Sequence, residues 1–193
     1  ARDGFHYVQR YENGVPVTYG NAPANYETDV ISRKAADFIS RAAADGSPFF
    51  LYLAPFAPHS PSTPANRHLD FAMDLKAPRT GAFDEEDTSD KPVFIQEMPR
   101  LSQAEVLAAD RTYALQVRSL QAVDELVDAV VATLAAVGLG DETYVIFTSD
   151  NGFQSGAHRL PGGGGLQYDH DVRVPLGVSG SGFGSGWRRE VVA

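Results

Sequence analysis

Cysteine is absent from all 193 residues, so this chain has no disulfide bracing, no thiolate metal ligand and no thiol nucleophile. Positive charge is scarce: 16 Lys and Arg stand against 25 Asp and Glu, a formal net charge of -9. That balance argues against nucleic acid as a partner, because such binding is dominated by phosphate neutralisation with Lys and Arg. An anionic ligand would have to be captured locally. Long apolar runs are missing as well. None approaches the roughly 20 residues that span a bilayer, and Ala1-Arg2-Asp3-Gly4 lacks the apolar segment of a signal peptide, so neither membrane insertion nor an export route is read from it. What is present is ordinary globular composition, 43% hydrophobic and 21% charged, suited to one core.

The first thirty residues, rich in Gly, Pro, Asn and Tyr, read as loop or short edge strands. Thr28 or Asp29 is expected to cap a helix running to about Ala44, with Val30, Ile31, Ala35, Phe38, Ile39 and Ala42 at helical spacing and Gly46 as its stop. Pro48 to Ala54 is a continuous apolar, aromatic segment expected as a strand buried on both faces. The polar stretch 62–100, with its acidic run Asp84-Glu85-Glu86-Asp87, reads as a long excursion holding one short helix around Asn66 to Met73. A long helix is predicted from about Ser102 to Val137, buried through Leu115, Leu120, Val123, Leu126, Val127, Val130, Val131 and Leu134, with Gly138 and Gly140 ending it. Tyr144 to Thr148 and Val172 to Val178 follow as strands, separated by a glycine-rich loop, and a Gly/Ser-rich tail closes the chain. The alternation of helix and strand reads as α/β.

Chemistry is expected where strands end. Asp150 and Asn151 directly follow one apolar strand and form an oxygen-donor pair suited to a hard cation such as Ca2+, less so Mg2+. Asn-Gly is also a strong turn signal, so a plain turn competes with that reading. His59 lies between Pro58 and Ser60-Pro61 after the 48–54 segment, where a restricted backbone would fix its imidazole. His158 and Arg159 could donate to an anion's oxygens, or serve only loop solvation. The Gly162–Gly165 run lacks the Lys-Ser/Thr of a P-loop.

Taken in order, the segment 48–54, then Ala57-Pro58-His59-Ser60-Pro61, then Ser149-Asp150-Asn151-Gly152, then Tyr168-Asp169 with Val172-Arg173-Val174-Pro175, resembles the sulfatase family, in particular the branch of N-acetylglucosamine-6-sulfatases and bacterial arylsulfatase-like proteins. The resemblance covers nearly the whole chain. It implies an alkaline-phosphatase-like fold: a mixed, mostly parallel sheet flanked by helices, incomplete at both ends, with residues 1–193 forming part of a single catalytic domain. It also implies hydrolysis of a sulfate ester on a small molecule or sugar with Ca2+ and a formylglycine nucleophile. Asp150 and Asn151 match metal ligands, and His59 the histidine that contacts the sulfate or helps expel the leaving group. Three departures accompany it. The Asp-Asp ligand pair is missing, the C-x-P-S-R-type segment that becomes formylglycine is missing, and Gly164 stands where the family usually carries a sulfate-binding Lys. Ser62-Thr63-Pro64-Ala65-Asn66-Arg67 only imitates the second. Phosphate or phosphonate monoester hydrolysis, and a non-catalytic module that binds anions, remain as alternatives, and the isolated chain is expected to be inactive.

Overall fold

The computed structural model describes residues 5, 6 and 8–183. Near the start a hairpin pairs β1 (Gln9–Glu12) antiparallel with β2 (Val15–Thr18). Asn13 and Gly14 both have positive φ, 51° and 83°, as the tight turn between two right-twisted strands demands. The expected short edge strands are therefore present.

Helix α1 spans Glu27–Asp45 and follows Tyr26 rather than Thr28 or Asp29; Gly46, left-handed at φ 61°, closes it. The start moves upstream because a short 3-10 turn, Pro23–Asn25, runs directly into it and Tyr26 is anchored in the core at 1% exposure. After the single turn α2 (Val93–Gln96), helix α3 spans Gln103–Ala136. Ser102 caps α3 through a complete capping box: Glu105 N donates to Ser102 Oγ (3.3 Å), and Ser102 N donates to Glu105 Oε2 (2.8 Å).

The two long helices pack on each other. Ala35 and Ile39 of α1 meet Leu126, Val130 and Leu134 of α3, and Phe49, Leu51 and Leu53 close over them. Each fully buried aliphatic side chain contributes about 1.5–3 kcal/mol by leaving water. A second cluster, Phe5, Tyr26, Ala57, Ala65, Ala122 and Val123, packs under the histidine-bearing loop. Val131, expected on the buried stripe, is 48% exposed.

The strand readings need correction. Residues 48–54 make no ladder among the described residues, and they are not buried on both faces. Phe49, Leu51 and Leu53 point into the helix core while Phe50 and Tyr52 are 88% and 78% exposed. This period of two is that of an extended chain with one face covered. Strand β3 (Val145–Thr148) pairs antiparallel with β4 (Leu176–Ser179), Val145 opposite Ser179 and Thr148 opposite Leu176. Both ladders are thus antiparallel, and the mostly parallel sheet is not seen among the described residues. The physical reason is local: the loop after β3 returns the chain alongside its own strand, whereas a parallel partner requires a crossover. Residues 172–178 are only partly strand, because α4 (Asp169–Val172) occupies the start of that span. The helix expected around Asn66 to Met73 contracts to one 3-10 turn, Asn66–His68. The tail reading over 184–193 lies outside the described residues. No described helix is long and apolar enough to cross a membrane.

Candidate functional site

The histidine loop is built on α1. Buried Glu27 pairs with Arg10 and also accepts from Phe56 N at 3.3 Å, and Tyr26 Oη donates to Thr63 O at 2.9 Å. Between these anchors the chain turns tightly: His59 N donates to Phe56 O (2.9 Å), Ser62 N to His59 O (2.8 Å) and Ser62 Oγ to Pro58 O (2.8 Å), with cis peptides before Pro58 and Pro61. The exposed His59 ring lies 4.7 Å from that of Phe56, centroid to centroid. Its Nδ1 is 2.8 Å from Ser60 O, and a carbonyl only accepts, so Nδ1 carries the hydrogen and Nε2 is the nitrogen left to act.

Arg67, in the segment that imitates the conversion motif, is a strut. It grips Asp29 of α1 with two bonds (2.7 and 2.8 Å) and donates from Nε to Glu125 of α3 at 2.8 Å. These carboxylates hold its guanidinium above the usual arginine range, and in return Arg67 holds Glu125 below the ordinary carboxylate range.

Asp150 and Asn151 follow β3 and are both exposed. Asn151 Nδ2 donates to Gly152 O at 2.7 Å, which leaves Asn151 Oδ1 facing outward from that bond, and the Asp150 carboxylate has no hydrogen-bond or ion-pair partner among the described residues. Gly152 is required beside them: a Cβ there would stand 1.9 Å from the His170 carbonyl oxygen, and Gly152 N donates to Asp171 O at 2.7 Å. Gly164 reaches the same place, since its Cβ would lie 3.3 Å from Asn151 Nδ2 and 3.8 Å from Asp171 Oδ1. Asp171 is 3% exposed; Oδ2 accepts from Leu166 N (2.9 Å) and Gln154 Nε2 (3.2 Å), while Oδ1 is buried without a donor. The pair supplies hard oxygen donors in adjacent positions, which fits a Ca2+-like cation in kind. No group of three or more His, Cys, Asp or Glu side chains among the described residues completes a shell.

His158 and Arg159 sit in a strained turn, both left-handed at φ 53° and 63°. The acidic excursion holds this turn. His158 Nδ1 lies 2.7 Å from Glu85 Oε2; Arg159 donates to the carbonyls of Glu85 (2.9 Å), Glu86 (2.8 Å) and Met98 (2.7 Å). His158 N donates to Ala82 O and Asp84 N to Gly156 O, each at 2.8 Å. Gly156 has no room for a side chain because Phe83 packs on it, with Arg79 stacked 3.9 Å over the Phe83 ring. The run 84–87, read from sequence as part of a long excursion, is therefore a brace. Its only advance signal was a cluster of acids with no partner in sequence. Beside the turn lies a cavity of about 480 Å³ lined by Asp90, Lys91, His158 and residues 167–170, in which the His158 and Tyr168 rings stand 4.4 Å apart.

With this geometry in view, comparison with known proteins is decisive. The sulfatase family model matches residues 2–184. The chain belongs to the sulfatase family. It is 38% identical to an arylsulfatase of Volvox carteri over 182 residues, 83% of this chain and 28% of that protein. To human N-acetylglucosamine-6-sulfatase it is 32% identical over 172 residues, covering 89% and 31%. Among solved structures, BT4656 in complex with its substrate D-glucosamine-2-N,6-O-disulfate superposes with a TM-score of 0.73 at 18% identity, over 93% of this chain and 47% of that one. Bacteroides fragilis yidJ gives 0.70 at 20%, over 92% and 36%. These likenesses establish the sulfatase fold. The chain spans 28% to 41% of the length of the first curated relatives it matches.

Proposed function

We propose that the full-length protein hydrolyses a sulfate monoester, with a sulfated sugar as substrate, and that this chain contributes part of its single catalytic domain. The observation that carries the reading is the Asp150–Asn151 pair, whose uncommitted oxygens stand at the end of β3 in a chain of the sulfatase family. Similarity to sugar and aryl sulfatases supports the substrate class.

In this reading Asp150 and Asn151 hold a Ca2+ ion, Mg2+ being a poorer match to flexible oxygen ligands. When bound, the ion supplies positive charge to the sulfate oxygens and fixes their orientation. His59 acts through Nε2: with Nδ1 held by Ser60 O, the ring presents one nitrogen at a fixed angle, suited to hold a proton at the ester oxygen as the alcohol departs. His158 offers its own Nε2 to the substrate. Arg159 contributes by shaping that turn, since its guanidinium is committed to three carbonyls. The formylglycine nucleophile comes from elsewhere in the full-length protein, as does the rest of a mostly parallel sheet that residues 48–54 would join through their open backbone edge.

Steady-state rates on matched aryl sulfate and aryl phosphate with the full-length protein test this reading. The expected outcome is preference for sulfate that falls on removal of Ca2+ by a chelator. Preference for phosphate replaces the reaction with phosphomonoester hydrolysis, and turnover of neither leaves an anion-binding module.

A further inference from the structure

Next to the Asp150–Asn151 turn the fold buries a carboxylate that no cation pairs with among the described residues. Asp171 is 3% exposed, and Gln154 beside it is 2% exposed. Every donor that reaches the carboxylate lands on one oxygen, because Leu166 N (2.9 Å) and Gln154 Nε2 (3.2 Å) both serve Oδ2. Oδ1 is left buried without a donor, and so is Gln154 Oε1 on the same amide. Turning the amide over gives no relief, since it would set Oε1 against Oδ2, one acceptor facing another. The nearby backbone is occupied as well: the N–H groups of Gly152 and Gln154 donate to the carbonyls of Asp171 and Gly163, and those of Asp171 and Val172 to that of Tyr168. No Lys, Arg or His side chain pairs with Asp171 among the described residues.

Space lies beside the orphaned oxygen. A Cβ built on Gly164 would stand 3.8 Å from Asp171 Oδ1 and 3.2 Å from Gly152 O, so the absent side chain leaves an opening that both oxygens border. Gly152 O accepts from Asn151 Nδ2 and keeps a second lone pair. Gly164 is itself exposed, which gives entry from solvent. The donors at hand are a carboxylate, an amide oxygen and a peptide carbonyl, all hard oxygens of the kind that bind hard cations. Water could fill the lone pairs, but it carries no charge, and a buried charge is stable when it is paired or coordinates a metal. One carboxylate balances one positive charge, and no group of three or more His, Cys, Asp or Glu side chains is present among the described residues for a divalent ion.

We propose that Asp171, Gln154 and the Gly152 carbonyl bind a monovalent alkali cation, K+ or Na+, at a site separate from the Asp150–Asn151 pair. The ion fastens the loop where it leaves β3 to the segment where it returns, because Gly152 and Gln154 lie on the outgoing limb and Asp171 on the incoming one. Its role is structural. It stands whether or not the full-length protein cleaves sulfate esters.

The test uses the full-length protein with Ca2+ held constant and ionic strength fixed by tetramethylammonium chloride, whose cation is too bulky for the opening. Thermal unfolding is followed as KCl or NaCl replaces that salt. Melting temperature should rise by at least about 3 °C with one of the two and then saturate, as mass action requires of a bound ion. Crystals soaked in thallous acetate, with Tl+ standing in for K+, should show anomalous density in contact with Asp171 Oδ1. Asp171→Asn, which keeps the shape and removes the charge, should abolish the rise. A melting temperature indifferent to the exchange, Tl+ density absent from Asp171 or found only at Asp150–Asn151, or a full rise in Asp171→Asn overturns the site. The Tl+ measurement needs no variant, so misfolding of a mutant cannot obscure the result.

Discussion

Two turns of one loop, eight residues apart, use polar side chains in opposite ways. At Asp150–Asn151 the backbone is held by neighbours, while the carboxylate and the amide oxygen are left uncommitted. At His158–Arg159 the side chains themselves are consumed, with one imidazole nitrogen on Glu85 and a guanidinium spread over three carbonyls. The difference teaches that charge near a cleft is not evidence of ligand contact until its hydrogen bonds have been traced. Arg159 looks like an anion ligand in sequence and behaves as a rivet in the fold. Arg67 repeats the lesson, imitating a conversion motif while bridging α1 and α3.

The comparison breaks first at Asp150. Asp150→Ala in the full-length protein should cost at least about a hundredfold in turnover and abolish stabilisation by Ca2+, because a metal ion supplies several kcal/mol of charge stabilisation. Metal-free stability should change by no more than about 0.5 kcal/mol, since the residue is exposed and unpartnered. Calcium-dependent thermal shift and kinetics measure both; retained turnover would remove Asp150 as a ligand.

The boundary between the turns is Gly152. Gly152→Ala should destabilise the protein by about 3–5 kcal/mol, because the added methyl would require the His170 carbonyl, 1.9 Å away, to move. Chemical denaturation measures it, and a loss below about 1 kcal/mol would mean that the loop yields easily.

Arg159→Ala should then cost about 2–4 kcal/mol through three carbonyls that lose their donor. Arg159→Lys should not restore it, since a point-like ammonium cannot span three separate acceptors. Full rescue by Lys would show that charge, rather than the fork, is what the turn needs.

The smallest effect tests the Arg67 strut by pH. Arg67 depresses the Glu125 carboxyl, and a depressed carboxyl contributes stability above its unfolded value that is lost as pH falls through the folded one. Melting temperature should therefore drop slightly more steeply in wild type than in Glu125→Gln as pH falls below about 4. Glu125 is 46% exposed, so the difference is modest.

Much of this architecture was legible from residue spacing. Helix α3 is found where its apolar stripe and the closing Gly138 and Gly140 put it, because a long amphipathic pattern carries its own boundaries. Helix α1 begins one or two residues before the expected cap, Thr28 or Asp29, and ends one residue after the expected end. The strands were harder. Residues 48–54 are uniformly apolar in sequence, and uniformity cannot reveal that only Phe49, Leu51 and Leu53 face the helices. Pairing direction was likewise hidden, since ladder hydrogen bonds join backbones and leave little mark on side-chain type. Of the site candidates, Asp150 and Asn151 do follow a strand, β3, whereas His59 follows an extended segment that makes no ladder among the described residues. The Glu85 brace was not legible, because it joins residues 73 positions apart.

The Arg67 strut has one more consequence, for a protein that is cut. Two ties that secure the histidine arm, Tyr26 to Thr63 and Arg67 to Asp29, lie upstream of the exposed stretch around Asp70 and Asp74, and Arg67 also reaches across it to Glu125 of α3. The acidic strip beyond that stretch is fastened independently by Arg159. Limited proteolysis there should give two pieces that co-migrate on a sizing column, with the imidazole of residue 59 still in register.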